Sequence, residues 1–364
     1  MKKILLVCVT SQNVITFRKG LISHLQGKGY EVSVVAFDSE YKKEIEEMGV
    51  RFYSIEDSNR SLNPLKILTL KGRYQRLIKT IAPDVVFTFM LKPNIFGVMA
   101  AKAAGVDRIF SMVEGAGDVF INNSFKWKII RTVVCFLYRM SFKHPNKVFF
   151  LNSDDKSEFV SRRLVKDDKC LTIPGVGVDL EHFAHKPLTN HKTFLMVARM
   201  LKTKGVIEYC ECARRVRQNH PDAVFNYLGA EGNISLNDIQ EYIDDGSINY
   251  LGVTKDVRPF LEACSCFVLP SYREGCSMSI MEAEAAGRCI ITTDSIGCKD
   301  SVEDGYNGFI VPRKNVDSLV EKCIFILDNP ATLEQMSANS RTFAEENFDS
   351  TKINNKIIYE MENI

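Results

Sequence analysis

Two glutamates, Glu274 and Glu282, stand with seven residues between them in the stretch Pro270–Glu282. The apolar run Cys266–Pro270 reads as a buried strand, and a helix follows over about Ser277–Ala286, closed by Gly287. A helix start leaves its first amides without intrahelical acceptors, so the N–H groups of Cys276, Ser277 and Met278 offer a cradle for a diphosphate. Glu274 in the loop is then placed to accept hydrogen bonds from sugar hydroxyls. Glu282, two turns into the helix, is placed to accept them from ribose hydroxyls. A solvated loop carboxylate and a helical carboxylate favoured by the dipole fit the same spacing. Upstream, Arg199 and Lys204 flank the turn from strand Thr193–Ala198 into helix Val206–Asn219. Cations beside the carboxyl end of a strand suit a phosphate, with capping and solvent as the alternative.

The first half of the chain holds a second set. Glu114 ends the apolar run Arg108–Glu114 and precedes Gly115 and Gly117. The two glycines leave backbone room around its carboxylate at the strand's carboxyl end, where ligands of such sheets collect; a strand-end glutamate in solvent competes with that reading. Lys92 and Asn94 follow strand Val85–Met90, where a lysine at a helix start suits an anion and Pro93 alone explains the turn. Arg18 begins the helix after the polar loop Thr10–Thr16, so either a ligand phosphate or solvent balances it against the dipole. Asn63 caps helix Leu65–Lys79 with Pro64 at its first position, whereas Arg60 has no evident structural task.

Strand-like runs Ile4–Val9, Val32–Phe37, Val85–Met90, Arg108–Glu114 and Lys147–Asn152 alternate with helical patterns. Thr193–Ala198, Val224–Gly229 and Ile248–Gly252 begin a second such series. This alternation implies parallel sheets covered by helices, hence the α/β class. A chain of 364 residues is too long for one ordinary core. We expect a first domain over 1–187, a second over 193–349, a polar linker near Ala184–Lys192, and a last amphipathic helix 350–364. A net charge of +2 and the lack of nucleic-acid motifs argue against a DNA or RNA partner. Eleven cysteines without a Cys-x-x-Cys pair read as reduced packing residues of a cytosolic protein. The N-terminus reads as a first strand, its apolar core of about seven residues being short for a signal peptide. No window approaches the ~18–20 apolar residues that span a bilayer, so any membrane contact is peripheral.

The Glu-x7-Glu pattern, the run Ala286–Asp294, the segment Ala198–Gly205 and the segment Val302–Val311 together resemble the retaining glycosyltransferases of family 4. That resemblance implies two Rossmann-like domains facing across a cleft (the GT-B arrangement), with the last helix crossing back to the first domain. It implies that Arg199 and Lys204 hold a nucleotide diphosphate and that backbone groups around Val253 and Thr254 hold the base. It also implies retention of anomeric configuration. Because relatives often hold a histidine near the position of Glu114, it implies a place for this carboxylate in the interdomain cleft, as a hydrogen-bond acceptor or acid/base group for the acceptor hydroxyl. Arg60–Pro64, Lys92–Asn94 and Val113–Gly117 resemble the bacterial subgroup that builds glycans on undecaprenyl diphosphate, α-1,3-N-acetylgalactosaminyltransferases among them, where Arg60 lies near the acceptor. UDP-N-acetylgalactosamine as donor and a lipid-linked amino sugar as acceptor are then expected, with the UDP-sugar a co-substrate and no cofactor or metal. A transferase for another UDP-sugar (GlcNAc or galactose) in capsule or O-antigen synthesis, a UDP-sugar 2-epimerase and a non-catalytic sugar-nucleotide or membrane-binding protein stay open.

From Val119 to Ser153 there is no carboxylate, while Lys126, Lys128, Arg131, Arg139, Lys143 and Lys147 are present. Four of these share one third of a helical circumference, beside Trp127, Ile130, Val134, Phe136, Leu137 and Tyr138. A helix over 125–143 lying on an anionic membrane at the inner face of the cell membrane is expected; core burial explains the apolar residues equally well.

Overall fold

The computed structural model describes residues 2–55, 64–121 and 124–364. They form two compact units, Met1–Val176 with Thr351–Ile364, and Gly177–Ser350. Arg60 and Asn63 lie outside the described residues.

The first unit is built on strands β1 (Lys2–Val7), β2 (Tyr30–Ala36), β3 (Arg51–Ser54), β4 (Val85–Phe89), β5 (Arg108–Val113), β6 (Lys147–Phe150) and β7 (Cys170–Thr172). All pair in parallel, in the order β3-β2-β1-β4-β5-β6-β7. The central strands β1 and β4 are near-continuous apolar runs because helices cover both faces of the sheet. The second unit repeats the design with β8 (Thr193–Val197), β9 (Val224–Leu228), β10 (Asn249–Tyr250), β11 (Cys266–Leu269), β12 (Cys289–Thr293) and β13 (Gly308–Val311). Its order is β10-β9-β8-β11-β12-β13, again parallel throughout. In each sheet the direction of strand addition reverses between the first strand and the fourth, at β1/β4 and at β8/β11. Ligands of such sheets bind beyond the carboxyl ends of the strands at that switch point.

Two local readings change. The polar segment Thr10–Thr16 is not a loop: Thr10 caps a helix over Ser11–Phe17 by accepting from Asn13 N at 3.2 Å. Arg18 therefore sits between that helix and the next, Lys19–Gly27, rather than opening a helix after a loop. The boundary between units falls at Gly177, ahead of residue 187. Val178 N donates to Phe348 O at 2.8 Å and Ser350 N to Val178 O at 3.1 Å, which ties the segment after Gly177 to the second unit. Gly177 has φ +79°, and a Cβ there would lie 2.5 Å from Ser350 Cα, so only glycine fits.

The last helix, Ser350–Glu362, belongs to the first unit from Thr351 onward. It buries Ile353, Ile357, Ile358 and Met361, each contributing up to about 1.5–3 kcal/mol. The Arg108 guanidinium donates to Met361 O, and the Tyr30 hydroxyl to Glu362 at 3.4 Å. All eleven cysteines are free and ten are buried. Among the described residues no helix is long and apolar enough to cross a membrane.

Candidate functional site

The β8/β11 switch point gathers residues from four segments of the second unit. At the end of β8, Ala198 O accepts from the Tyr227 hydroxyl at 2.7 Å. A Cβ on Gly229 would stand 1.8 Å from the same carbonyl, so glycine lets the neighbouring strand end close on it. A short turn over Lys202–Lys204 follows, and Thr203 O accepts from Tyr272 N (2.8 Å) in the loop after β11, with Ser271 Oγ 3.0 Å from the same carbonyl. Gly205, at φ +75°, starts the next helix where a Cβ would lie 2.2 Å from Pro270 O. The turn after β8 and the loop after β11 are thus locked together by backbone.

That lock presents Lys204 to Glu274. The Lys204 ammonium stands 2.6 and 2.7 Å from the two carboxylate oxygens, and Ser271 Oγ donates to Oε1 at 2.6 Å. Glu274 is only 10 % exposed, and its own N–H donates to Ile296 O at 2.9 Å. Arg199 differs: it is exposed and makes no side-chain hydrogen bond or ion pair among the described residues. The two cations expected to act alike are one pre-paired and one free. Ser271, which sequence reasoning missed, is the second group that fixes Glu274; its only signal was its place in the same loop.

Ser277 caps the eight-residue helix Met278–Ala285, its hydroxyl accepting from Ile280 N at 3.4 Å. The amides of the first turn are the ones a helix leaves without internal acceptors. Burial pushes the Cys276 thiol up, so Cys276 contributes its backbone and not a thiolate. Glu282 lies on the same helix, partly buried, with no side-chain partner among the described residues. Burial alone pushes its carboxyl up to about 7. Val253 is exposed and Thr254 bonds locally, its hydroxyl donating to Asp256 O at 2.9 Å, in the loop beyond β10. Gly229 N donates to Gly252 O at 2.8 Å and so holds that loop beside the end of β9.

In the first unit, residues beyond β1, β4 and β5 meet. Arg18 is buried and forms an ion pair with Glu114, which is 18 % exposed. The guanidinium stacks over Phe89, its Cζ 4.1 Å from the ring centroid. Burial pulls Arg18 down to about 10, still charged at neutral pH. Glu114 is therefore held by a cation. Lys92 is buried beside Phe37, its ammonium 5.6 Å from the ring centroid. Met90, at the end of β4, holds φ +69°, a left-handed conformation that side chains avoid, and accepts from Asn13 Nδ2 at 3.0 Å through its sulfur. Neither Phe89 nor Met90 was legible as a site residue. Asn94 is a correction: it is wholly buried, its amide donating to Met112 O (2.8 Å) and its oxygen accepting from Thr88 Oγ1 (2.7 Å). It braces the π-helical turn Pro93–Gly97 and presents no group to a ligand.

Helix Phe125–Ser141 packs Val134, Cys135, Tyr138 and Ser141 inward. Its outer face carries Phe125, Ile129, Val133, Phe136 and Met140, between 45 % and 79 % exposed. Lys126, Lys128 and Arg139 are exposed beside them. The apolar residues that face solvent are mostly not those placed beside the basic stripe from the sequence.

Residues 178–343 match the family described as "Glycosyl transferases group 1", and residues 3–152 the family "Glycosyl transferase 4-like". The chain is 30% identical over 338 residues to the N,N'-diacetylbacillosaminyl-diphospho-undecaprenol alpha-1,3-N-acetylgalactosaminyltransferase of Campylobacter jejuni, covering 89% of each chain. It is 27% identical over 352 residues to the UDP-Gal:alpha-D-GlcNAc-diphosphoundecaprenol alpha-1,3-galactosyltransferase of Escherichia coli, covering 92% of this chain and 89% of that one. The crystal structure of Anabaena HepE in complex with UDP and glucose shares the fold, with a TM-score of 0.82 at 15% identity over the full length of both chains.

Proposed function

This chain belongs to the group 1 glycosyl transferases, and from that membership we propose that it moves N-acetylgalactosamine from UDP to an amino sugar carried on undecaprenyl diphosphate. Transfer proceeds with retention and without a metal. The observation that carries the reading is the Lys204–Glu274–Ser271 cluster, locked beside the exposed Arg199 at the switch point of the second sheet. The relatives from C. jejuni and E. coli support the lipid-linked acceptor, since both are named for a diphosphoundecaprenol-linked substrate.

The second unit holds the donor. As the bond from the sugar's C1 to the diphosphate breaks, charge grows on the phosphate oxygen. Arg199, Lys204 and the amides of Cys276–Met278 meet that charge. Lys204 is already oriented by Glu274, so little reorganisation accompanies the step. The acceptor hydroxyl attacks C1 from the face the diphosphate leaves and passes its proton to the departing phosphate; no side chain is assigned as nucleophile. The first unit holds the acceptor. Lys92 and Arg18 supply positive charge near its diphosphate, and Glu114, set by Arg18, accepts from an acceptor hydroxyl. The exposed face of helix Phe125–Ser141 rests on the inner leaflet, at whose surface such an acceptor resides. Arg60 joins the acceptor set on family resemblance alone.

Glu282 adds a pH signature. Its ionised form accepts hydroxyl hydrogen bonds on both oxygens and more strongly than the protonated form, so ribose binding favours the deprotonated carboxyl. UDP affinity is expected to fall as pH drops through about 7, by up to roughly tenfold per unit well below it. Titration calorimetry between pH 5.5 and 8.5 checks this, and Glu282→Gln should flatten the profile. A panel of UDP-sugars against undecaprenyl-diphosphate acceptors, read by UDP release and product mass, tests the substrate assignment. N-acetylgalactosamine transfer is expected. Transfer of galactose or N-acetylglucosamine instead would replace the donor, and UDP release without any acceptor would remove the transferase reading.

A further inference from the structure

We propose that a groove on the first unit takes one acyl chain of an anionic phospholipid, a reading that deepens the docking of helix Phe125–Ser141. The groove encloses about 890 Å³ between the last turns of that helix and the segment Val160–Lys169. Small-molecule sites span roughly 300–1,000 Å³. Met140, Phe142, Val160 and Leu164 line it with carbon, which suits a hydrocarbon chain.

Charge is placed around that apolar wall. Lys143, Arg163 and Lys166 are exposed and make no side-chain hydrogen bond or ion pair among the described residues. The other cations at the groove are engaged: Arg139 donates to Arg162 O at 3.0 Å, and Lys169 to Lys143 O and Pro145 O at 2.9 and 2.8 Å. Asp167, the lone carboxylate of its lining, is paired with Lys156 at 3.0 Å and so leaves the three free cations unopposed. Arg163 also holds φ +55°, a strained conformation for a residue with a side chain. An apolar trough edged by three unpaired cations complements a single acyl chain ending in a phosphodiester. Phe136 and Met140 line the groove and also end the exposed apolar stripe. A lipid seated there would therefore lie in the same leaflet that the helix rests on.

Short-chain phosphatidylglycerol, kept below its micelle concentration, tests the groove without a bilayer; the binding is read by titration calorimetry on the full chain. The wild type is expected to bind it at least about tenfold more tightly than the phosphatidylcholine of equal chain length, since each cation near an anionic lipid contributes about 1 kcal/mol. Met140→Glu, at an exposed position, should abolish binding. Lys143→Glu with Lys166→Glu gives an independent loss by reversing charge, with thermal unfolding confirming that both variants are folded. Equal binding of the two lipids, or wild-type binding by both variants, would overturn the proposal. Ile129→Glu, on the stripe but outside the groove, separates the two readings. It should weaken partition onto phosphatidylglycerol vesicles, read by emission of the single tryptophan, Trp127, while leaving binding of the monomeric lipid intact. Unchanged vesicle binding in that variant would sink the docking of the helix and leave the groove standing.

Discussion

Lys204→Ala is expected to lower kcat by about 10²–10³-fold, the scale set by deleting one preorganised donor from a site of developing negative charge. The ammonium pairs with Glu274, both carboxylate oxygens lying within 2.7 Å of it. Deleting it does two things in the same direction. A positive charge is lost where phosphate charge grows, and an uncompensated carboxylate is left beside the departing group. Arginine is not a rescue, because its planar fork is bulkier than the compact ammonium that the Ser271 and Thr203 contacts frame. UDP release at saturating donor and acceptor measures the effect, and wild-type turnover would remove Lys204 from the mechanism.

Glu114→Ala is expected to destabilise the first unit by roughly 3 kcal/mol, the lower end of the cost of orphaning one partner of a buried pair, since Glu114 is partly exposed. Arg18 stays charged near neutral pH and would face the Phe89 ring with no counter-ion. The double variant Arg18→Met with Glu114→Ala should recover most of the loss, because a methionine packs on an aromatic ring without a charge to desolvate. Denaturant unfolding of the two single variants and the double variant measures this coupling. Additive losses would mean that the pair carries no shared energy. If transfer to the acceptor stays low in the restored double variant, Glu114 and Arg18 serve chemistry as well as folding.

These expectations rest on different kinds of legibility. Arg199, Lys204 and Glu274 were readable because each lies within a few residues of a strand end, and a parallel sheet directs those ends to one rim, while Glu282 was readable from its spacing to Glu274 on the helix that follows. The Arg18–Glu114 pair was not, because one partner follows β1 and the other β5, and only tertiary packing joins them. Asn94 misled for a related reason: an asparagine beside a strand end looks functional until Thr88 and Met112 are seen to occupy its amide. The left-handed φ of Met90 leaves no trace in residue type. On helix Phe125–Ser141 the lack of carboxylates was evident. Which apolar residues face outward was not, since the packing of Val134 and Tyr138 decides it. The short edge strands Arg51–Ser54 and Cys170–Thr172 carry too few residues for a period-two pattern to register.

The central claim is that the β8/β11 switch point of the second unit recognises a diphosphate, and Arg199 tests it most cleanly because it is exposed and its removal orphans nothing. Titration of UDP and of uridine into the wild type and Arg199→Ala is the measurement. The account predicts that UDP binds the wild type far more tightly than uridine, and that Arg199→Ala weakens UDP by about 10–100-fold, the worth of one charged hydrogen bond, while leaving uridine unchanged. Equal UDP affinity in the two proteins would contradict it.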